Sequence, residues 1–496
     1  MKNIKNIAIA TMAATLIFSC DTEEDLIEKR IQDNTIEISY SSGDADFSNY
    51  ISLGNSLTAG LMDAALYTEG QNSSFPNIIG NQLIKAGFSS EFNQPDINAV
   101  NGYNISLNSD PQTATFGKFI LDTSIPGPVP TTPGDVITAF GGDKTSLNNF
   151  GVPGARTADL LTPALAANGF YARFATVPGQ STVLGDALAT DPTFFTLWIG
   201  NNDVLNYASS GGVGDAPLAF YSQSQFTADY SSIIGQLAGK GAKGVVINIP
   251  PVLLIPYFRA VPYNPVPLDE ATAGQLNAGY AEYNGGLQLA KMGGFIDEAE
   301  AERRTITFAA GQNAFVMVDE DLTDLSALGL PNYRQTEPTD LVPLPTSTAL
   351  QSGIGTQQPA GDQYVLTLEE QTAIITARAT YNGVIQGIAA SVDGVDMFDI
   401  QPLFADLAGL TPELAAQLAL STEAQAASDG VQGISYESVT IAPDFSPSGL
   451  FSTDGIHPNP RGHAILANYL IDFINEKHDS NIPKVNSTTY RTVLFQ

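Results

Sequence analysis

The stretch Phe451–His463, FSTDGIHPNPRGH, contains two of the three histidines in a chain of 496 residues. Asp454 and His457 are three residues apart, so one turn of chain can place a carboxylate beside an imidazole. Such a pair fixes the histidine tautomer and makes a general base. Asn459 and Pro460 resemble an N-cap and a first helical position, which predicts a helix directly after the pair. The competing interpretation is a polar turn that only caps that helix.

Three further positions of chemical interest follow apolar or β-rich runs. Ser56 comes just after the run that ends at Gly54, and Asn202 comes just after the largely apolar run Phe194–Ile199. Gly154 belongs to a turn with two glycines around a proline, whose backbone N–H groups can approach a ligand closely. Each alone is equally an ordinary strand end, a tight turn or an Asx turn. Because α/β sheets place their sites at the carboxyl ends of strands, their joint occurrence favours an active site.

Strands and helices alternate along the chain, which predicts an α/β architecture with a central parallel sheet. Further buried strands are expected at Val245–Ile249 and Val395–Ile400. Apolar residues at helical spacing predict helices over 74–87, 224–239, 270–292, from a capping box at Thr367 to Ala390, and after Pro460.

The predicted domain organisation has one large domain over residues 47–478. Within it, residues 88–144 are rich in Asn, Pro, Gly and Thr and are predicted to form an elaborated loop region with one hairpin. Residues 300–362 are rich in Pro, Thr and Gln and are predicted to form an insertion, a lid or a small subdomain. Residues 479–496 are expected to form a C-terminal tail.

The N-terminus has the pattern of an export signal. Two lysines precede the apolar run Ile7–Phe18, which is too short to span a bilayer and predicts a signal peptide over residues 1–19. The stretch Leu16–Cys20 resembles the bacterial lipobox, in which the cysteine is lipidated and becomes the new N-terminus. The alternative is an ordinary secretory signal with an incidental cysteine.

Residues 20–46 are polar and acidic, which predicts a lipidated N-terminus followed by a tether. The run Asp21–Asp25 resembles the surface-export signals of Bacteroidota lipoproteins. The expected location is therefore the cell envelope, at the outer membrane and exposed at the surface, with acyl chains as the membrane anchor.

The formal net charge of −31 disfavours nucleic acid as a partner, because the field repels phosphate backbones. It also disfavours electrostatic docking on anionic membranes. Cys20 is the single cysteine, so no intrachain disulfide can form. Three histidines without metal-ligand spacing predict neither a metal nor another cofactor.

Four blocks together resemble those of the SGNH/GDSL hydrolases: Gly54–Gly60, Gly151–Gly154, Gly200–Asp203 and Asp454–Pro458. The first has Asn55 where the family usually has aspartate, and the spacing between the third and fourth blocks is larger than usual. The resemblance implies a three-layer α/β/α fold, with the sheet in the middle and large loop insertions. It also implies esterase activity.

The resemblance implies a role for each matched residue. Ser56 is expected to be the nucleophile, His457 the general base and Asp454 the residue that orients the base. The oxyanion is expected to accept hydrogen bonds from the backbone N–H groups of Ser56 and Gly154 and from the side-chain amide of Asn202.

Several alternatives stay open on sequence alone. Instead of an esterase or lipase, the chain could be a non-catalytic lipoprotein that binds glycan or lipid on an inactivated esterase fold. Glycosidase chemistry is disfavoured, because abundant carboxylates are not a positioned pair. Among ester substrates, the apolar segment Pro250–Leu268 favours long-chain or aryl esters, whereas surface anchoring favours O-acylated glycans. The oligomeric state is not predicted.

Overall fold

The computed structural model describes residues 39–122, 124, 127–214, 219–417 and 433–495. The predicted signal peptide over 1–19, the lipidation site Cys20 and the tether up to residue 38 lie outside these residues. The chain divides into two units at Ser41, and everything below concerns the second unit, Ser42–Gln496.

A five-stranded, all-parallel sheet forms the centre of the domain. Its strands are β1 (Tyr50–Gly54), β2 (Asn149–Gly151), β3 (Phe194–Trp198), β4 (Lys243–Ile247) and β5 (Val395–Phe398). Their order in the sheet is β5-β4-β3-β1-β2. The chain thus runs from β1 to one neighbour and then crosses to the other, and the carboxyl ends of β1, β2 and β3 lie side by side. In α/β sheets such a switch point is where sites form.

The main helices are α1 (Ser56–Ala59), α2 (Phe75–Lys85), α3 (Asn201–Ser209), α4 (Gln223–Gly239), α5 (Glu270–Met292), α6 (Leu368–Ser391), α7 (Gln401–Leu407) and α8 (Pro460–His478). Helices α2 and α8 pack together, as do α4 and α6. The predicted three-layer α/β/α fold is confirmed, and α2, α4, α5 and α6 begin and end within two residues of their predicted bounds.

Local chemistry explains where two of these helices begin. The Asn459 side chain accepts a hydrogen bond from Gly462 N at 2.9 Å and caps α8, whose first residue is Pro460. Thr367 and Glu370 form the predicted capping box at the start of α6. Among the described helices, none is long and apolar enough to cross a membrane.

Shorter helices occupy Thr68–Asn72, Gly169–Ala172, Val183–Leu188, Pro256–Arg259, Glu298–Arg304, Thr346–Gln351 and Pro412–Gln417. Single 3-10 turns occupy Thr157–Leu161, Pro163–Ala167, Val252–Leu254, Ser326–Leu328, Asp362–Tyr364 and Ser487–Thr489. Antiparallel pairs join Ala65–Leu66 to Tyr103–Asn104, Phe119–Leu121 to Pro128–Pro130, Val266–Leu268 to Gly311–Asn313, Val316–Val318 to Tyr333–Gln335, and Ile434–Tyr436 to Val439–Ile441.

The predicted insertions have different characters. Residues 88–144 are mostly irregular, and one hairpin pairs Phe119–Leu121 with Pro128–Pro130. Residues 300–362 share a small apolar core with α5, in which Ala273 and Leu276 pack with Ile306, Phe308 and Val316. Helix α5 therefore packs with the second insertion. The domain boundaries themselves stay predictions.

Candidate active site

Ser56 stands at the start of α1, directly after the fully buried strand β1. The Asn55 side chain accepts a hydrogen bond from Leu57 N at 3.0 Å and caps this short helix. A Cβ on Gly54 would lie 2.4 Å from Trp198 O, so the strand can pack closely against β3 only with glycine here. The chain therefore turns sharply and presents the serine at the carboxyl edge of the sheet.

His457 lies between Ser56 and Asp454, and all three side chains are buried. Its Nε2 atom is 2.8 Å from Ser56 Oγ, and its Nδ1 atom is 2.8 Å from Asp454 Oδ2. The contact with Ser56 joins residues 401 positions apart. The fold thus brings together the three residues that the sequence predicts as nucleophile, base and orienting acid.

Both oxygens of Asp454 are hydrogen-bonded. Oδ1 accepts from Ile456 N at 2.8 Å and from His457 N at 2.9 Å, and Oδ2 accepts from Ala64 N at 2.8 Å in addition to the imidazole. Burial opposes ionisation, but the imidazole and these backbone donors outweigh it and lower the pKa of Asp454 to about 2. The carboxylate is thus charged at neutral pH and suited to orient an imidazole and stabilise an imidazolium.

A second loop supports this arrangement, and sequence reasoning missed it. Asp63 Oδ1 accepts hydrogen bonds from the backbone N and Oγ1 of Thr453, at 3.0 and 2.7 Å. Its own backbone N donates to Ser452 Oγ at 2.9 Å. On the other side, a Cβ on Gly455 (φ +73°) would lie 2.9 Å from Tyr257 N. The loop that carries Asp454 and His457 is therefore clamped between two chain segments, and the sequence around Asp63 has no distinguishing pattern.

The residues expected to form the oxyanion hole occupy different positions relative to Ser56. Asn202, at the start of α3, is buried, lines the cavity around the serine and donates through Nδ2 to Ala155 O at 2.8 Å. Gly154 lies in the turn after β2 with φ +82° and is exposed. Gly154 is not among the described residues that line the cavity. It directly precedes Ala155, whose carbonyl oxygen accepts the hydrogen bond from Asn202.

Asp203 connects two of the blocks that the sequence singled out. Its Oδ2 atom accepts from Thr157 N and Thr157 Oγ1, both at 3.0 Å, and so ties α3 to the turn that contains Gly154. Burial raises the pKa of Asp203 to about 7. The aspartate therefore positions the turn and does not face the serine.

Asn201 is a further polar residue of the cavity that sequence reasoning did not assign. Leu57 N donates to Asn55 Oδ1, which leaves Asn55 Nδ2 to donate to Asn201 Oδ1 at 3.0 Å. This chain of bonds fixes the orientation of the Asn201 amide. Its Nδ2 atom is buried and has no partner among the described residues.

Two adjoining cavities surround the serine. The first, of about 40 Å³, is lined by Ser56 and His457 and by asparagine and apolar side chains. The second, of about 70 Å³, is almost wholly apolar and shares Leu57, Pro250 and Ile456 with the first. The segment Pro250–Leu268, whose apolar sequence favours long-chain or aryl esters, contributes Pro250 to both cavities and Val252 and Ile255 to the first.

The two other histidines are buried structural residues away from the described cavity wall. His463 Nδ1 accepts from Phe75 N at 3.3 Å, and burial lowers its pKa to about 3. His478 Nδ1 is 2.9 Å from Asp44 Oδ1, and neither residue of this second histidine–aspartate pair lines the described cavity.

Serine, histidine and aspartate lie in line at the carboxyl edge of a parallel sheet. This arrangement is typical of α/β proteins with the geometry of serine hydrolases. The family model of the GDSL-like lipases and acylhydrolases matches residues 50–470. The chain therefore belongs to this family, whose members are esterase- and lipase-type hydrolases. No curated protein and no solved structure matches the chain significantly.

Proposed function

We propose that the chain is a carboxylic ester hydrolase that works through Ser56, His457 and Asp454. The observation that carries this proposal is the buried line of contacts, 2.8 Å from serine to imidazole and 2.8 Å from imidazole to carboxylate. Both distances are within hydrogen-bond reach of a nucleophile and its base.

The reaction begins when Ser56 Oγ attacks the ester carbonyl while His457 Nε2 takes the serine proton. The same nitrogen then protonates the leaving alcohol, and an acyl-enzyme remains. Water attacks the acyl-enzyme with His457 again as base, and the carboxylic acid is released. Asp454 holds the imidazole in the tautomer with the proton on Nδ1 and stabilises the imidazolium that forms.

The oxyanion accepts hydrogen bonds from the backbone N–H group of Ser56 and from the Asn202 amide, which both line the cavity, whereas Gly154, the third expected donor, is not part of its described wall. We add the Nδ2 group of Asn201, because it is a buried donor on the cavity wall without a described partner. Leaving a buried donor unpaired costs about 1–3 kcal/mol, which a substrate oxygen would recover on binding.

The substrate class we infer is an ester with an acyl chain longer than acetyl. The apolar cavity next to Ser56 supports this choice, because its walls include Trp198, Leu403 and Leu466 and expose very little polar surface. An acetyl group would leave it empty, whereas an alkyl chain would gain ~0.8 kcal/mol for each buried CH₂.

We further propose that the protein is an exported lipoprotein of the cell envelope, anchored through Cys20. The support is the N-terminal sequence pattern. Metabolic labelling with a palmitate analogue, compared between wild type and Cys20→Ser, tests it: label on the variant would contradict lipidation at this residue.

The first experiment is hydrolysis of 4-nitrophenyl esters from acetate to palmitate by wild type, Ser56→Ala and His457→Ala. We expect each substitution to lower kcat by ~10⁶. A fourth variant, Leu403→Trp, fills the apolar cavity and should move the chain-length optimum towards acetate. Wild-type rates equal to both site variants, with glycan or lipid binding intact, would favour the non-catalytic binding protein instead.

A further inference from the structure

Three carboxyl groups converge where the second insertion meets helix α6. Glu320 follows the strand Val316–Val318, Asp362 begins a 3-10 turn, and Glu370 lies in the first turn of α6. One oxygen from each lies within 4.8 Å of the others. Glu320 is exposed, Asp362 is partly buried and Glu370 is buried, so the group extends from the surface into the interior.

Two buried oxygens in this group lack a partner. Glu370 is 4% exposed, and its Oε2 atom accepts from Thr367 N at 2.6 Å and Thr367 Oγ1 at 3.0 Å. Its Oε1 atom and Asp362 Oδ1 are also buried and accept no hydrogen bond from a donor in the described part of the chain, and the carboxyl group of Asp362 lies within hydrogen-bond reach of that of Glu320. Buried carboxylate oxygens are normally paired or bound to a metal ion, because an uncompensated charge in a desolvated place is costly.

The neighbouring basic side chains have other partners. Arg334 pairs with Asp319 and Asp340, and Arg303 reaches Glu337 at 3.1 Å and Asp319 at 3.6 Å. Asp319, next to Glu320 in sequence, is therefore neutralised by arginine, whereas the three converging carboxyl groups have no ion pair among the residues that the structure describes.

We propose that Glu320, Asp362 and Glu370 bind one divalent cation, and that the ion is Ca²⁺. Hard oxygen ligands without histidine or cysteine exclude a preference for zinc or copper. Ca²⁺ accepts irregular sets of six to eight oxygens and leaves the remaining positions to water, whereas Mg²⁺ demands near-octahedral geometry. The ligands come from both sides of a junction, so the ion would fasten the insertion to α6.

Isothermal titration of the purified protein with CaCl₂, after treatment with EDTA, tests the proposal. We expect one Ca²⁺ per chain and weaker binding of Mg²⁺. Glu320→Gln should weaken Ca²⁺ binding at least ~10-fold, because it removes one of three charged ligands. Glu369→Gln is the matched control: it removes the same charge from an exposed neighbour and should leave the affinity unchanged.

A second measurement uses Tb³⁺ as a luminescent substitute for Ca²⁺. Tyr207 lies within electrostatic reach of all three carboxyl groups and can sensitise the ion. Luminescence should be displaced by Ca²⁺ and lost in Tyr207→Phe, while Ca²⁺ binding by that variant persists. The proposal is overturned if no Ca²⁺ binds at millimolar concentration, or if Glu320→Gln and Glu369→Gln weaken binding equally. The second result would mean diffuse attraction to an acidic surface.

Discussion

Asp454 and Glu370 are both buried carboxyl groups, with 8% and 4% of their surface exposed, yet they differ in every other respect. Four donors surround the two oxygens of Asp454, and its pKa is lowered to about 2. Glu370 has one oxygen paired and one unpaired beside two further acids, and its pKa is raised to about 8.

The difference shows that burial alone does not decide the charge of a carboxyl group, because the donors around it do. Both oxygens of Asp454 accept hydrogen bonds from groups of the protein, and the carboxylate is placed to orient the neighbouring imidazole. One oxygen of Glu370 has no hydrogen-bond partner among the described residues, which is the observation behind the proposed Ca²⁺ site. Asn201 Nδ2 is the corresponding buried atom of the active site without a hydrogen-bond partner among the described residues. The predictions that follow test this distinction, in order of decreasing effect.

The largest expected effect follows from Asp454→Asn. The amide keeps the shape but can present an N–H to His457 Nδ1 and so favour the wrong tautomer, which typically lowers kcat by ~10⁴. Ester hydrolysis by the variant measures this. Asp44→Asn is the matched control, since it alters the other histidine–aspartate pair and should leave kcat unchanged. A loss below tenfold in Asp454→Asn would mean that the pair does not orient a catalytic base.

The next largest effect is on stability. Arg334 is fully buried between Asp319 and Asp340, so Arg334→Ala would leave buried Asp340 without its cation and buried Asp319 with only the longer contact to Arg303. We expect a loss of ~3–5 kcal/mol in the free energy of unfolding, measured by urea denaturation. Arg303→Ala removes the partly exposed pair with Glu337 and the longer contact with Asp319, which Arg334 still neutralises, and should cost less than ~1 kcal/mol. Equal losses in the free energy of unfolding would show that the buried ion pairs stabilise this insertion no more than the partly exposed one.

The unpaired donor in the active site predicts a kinetic effect. Asn201→Ala should lower kcat by ~10²–10³, the usual loss for one oxyanion donor, with little change in KM. Asn206→Ala, on the same helix and away from the described cavity wall, serves as control. A change confined to KM would place the amide in substrate binding alone.

The smallest effect concerns pH. Glu370 has an ordinary pKa of 4.5, which the fold raises to about 8. Between these values the unfolded chain has released a proton that the folded chain retains, so the free energy of unfolding should fall as pH rises through this window. Asp362 contributes in the same direction, and so does Asp203, whose pKa is about 7. Asp454 acts oppositely, because its stabilisation is lost as pH falls from 3.8 to about 2.

Urea denaturation at several pH values, in EDTA and in Ca²⁺, measures this slope. Bound Ca²⁺ would keep Glu370 and Asp362 ionised, so the fall attributable to them should disappear, while the part due to Asp203 should persist. In Glu320→Gln, the slope of the free energy of unfolding against pH should be the same in EDTA and in Ca²⁺. Identical slopes for wild type in EDTA and in Ca²⁺ would show that protonation, and not a bound cation, neutralises the three carboxyl groups.

The sequence by itself determined the order of strands and helices and the four blocks around Ser56, Gly154, Asn202 and His457. These features are local: a buried strand needs an apolar run, a helix needs a cap and an apolar face, and a tight turn needs glycine. The family followed from the same blocks, and the match over residues 50–470 confirmed it.

Only the tertiary structure decided which distant groups meet. His457 reaches Ser56 across 401 positions because α8, which begins just after the loop of His457, packs against α2 and α2 contacts β1. No local pattern encodes that distance. Asp63 and the cluster of Glu320, Asp362 and Glu370 had no signal in the sequence, since acids are common in so acidic a chain. Asn201 lay within the block Gly200–Asp203, but nothing in the sequence gave it a role. What distinguishes them is whether burial leaves their atoms paired or unpaired, and only packing between distant segments settles that.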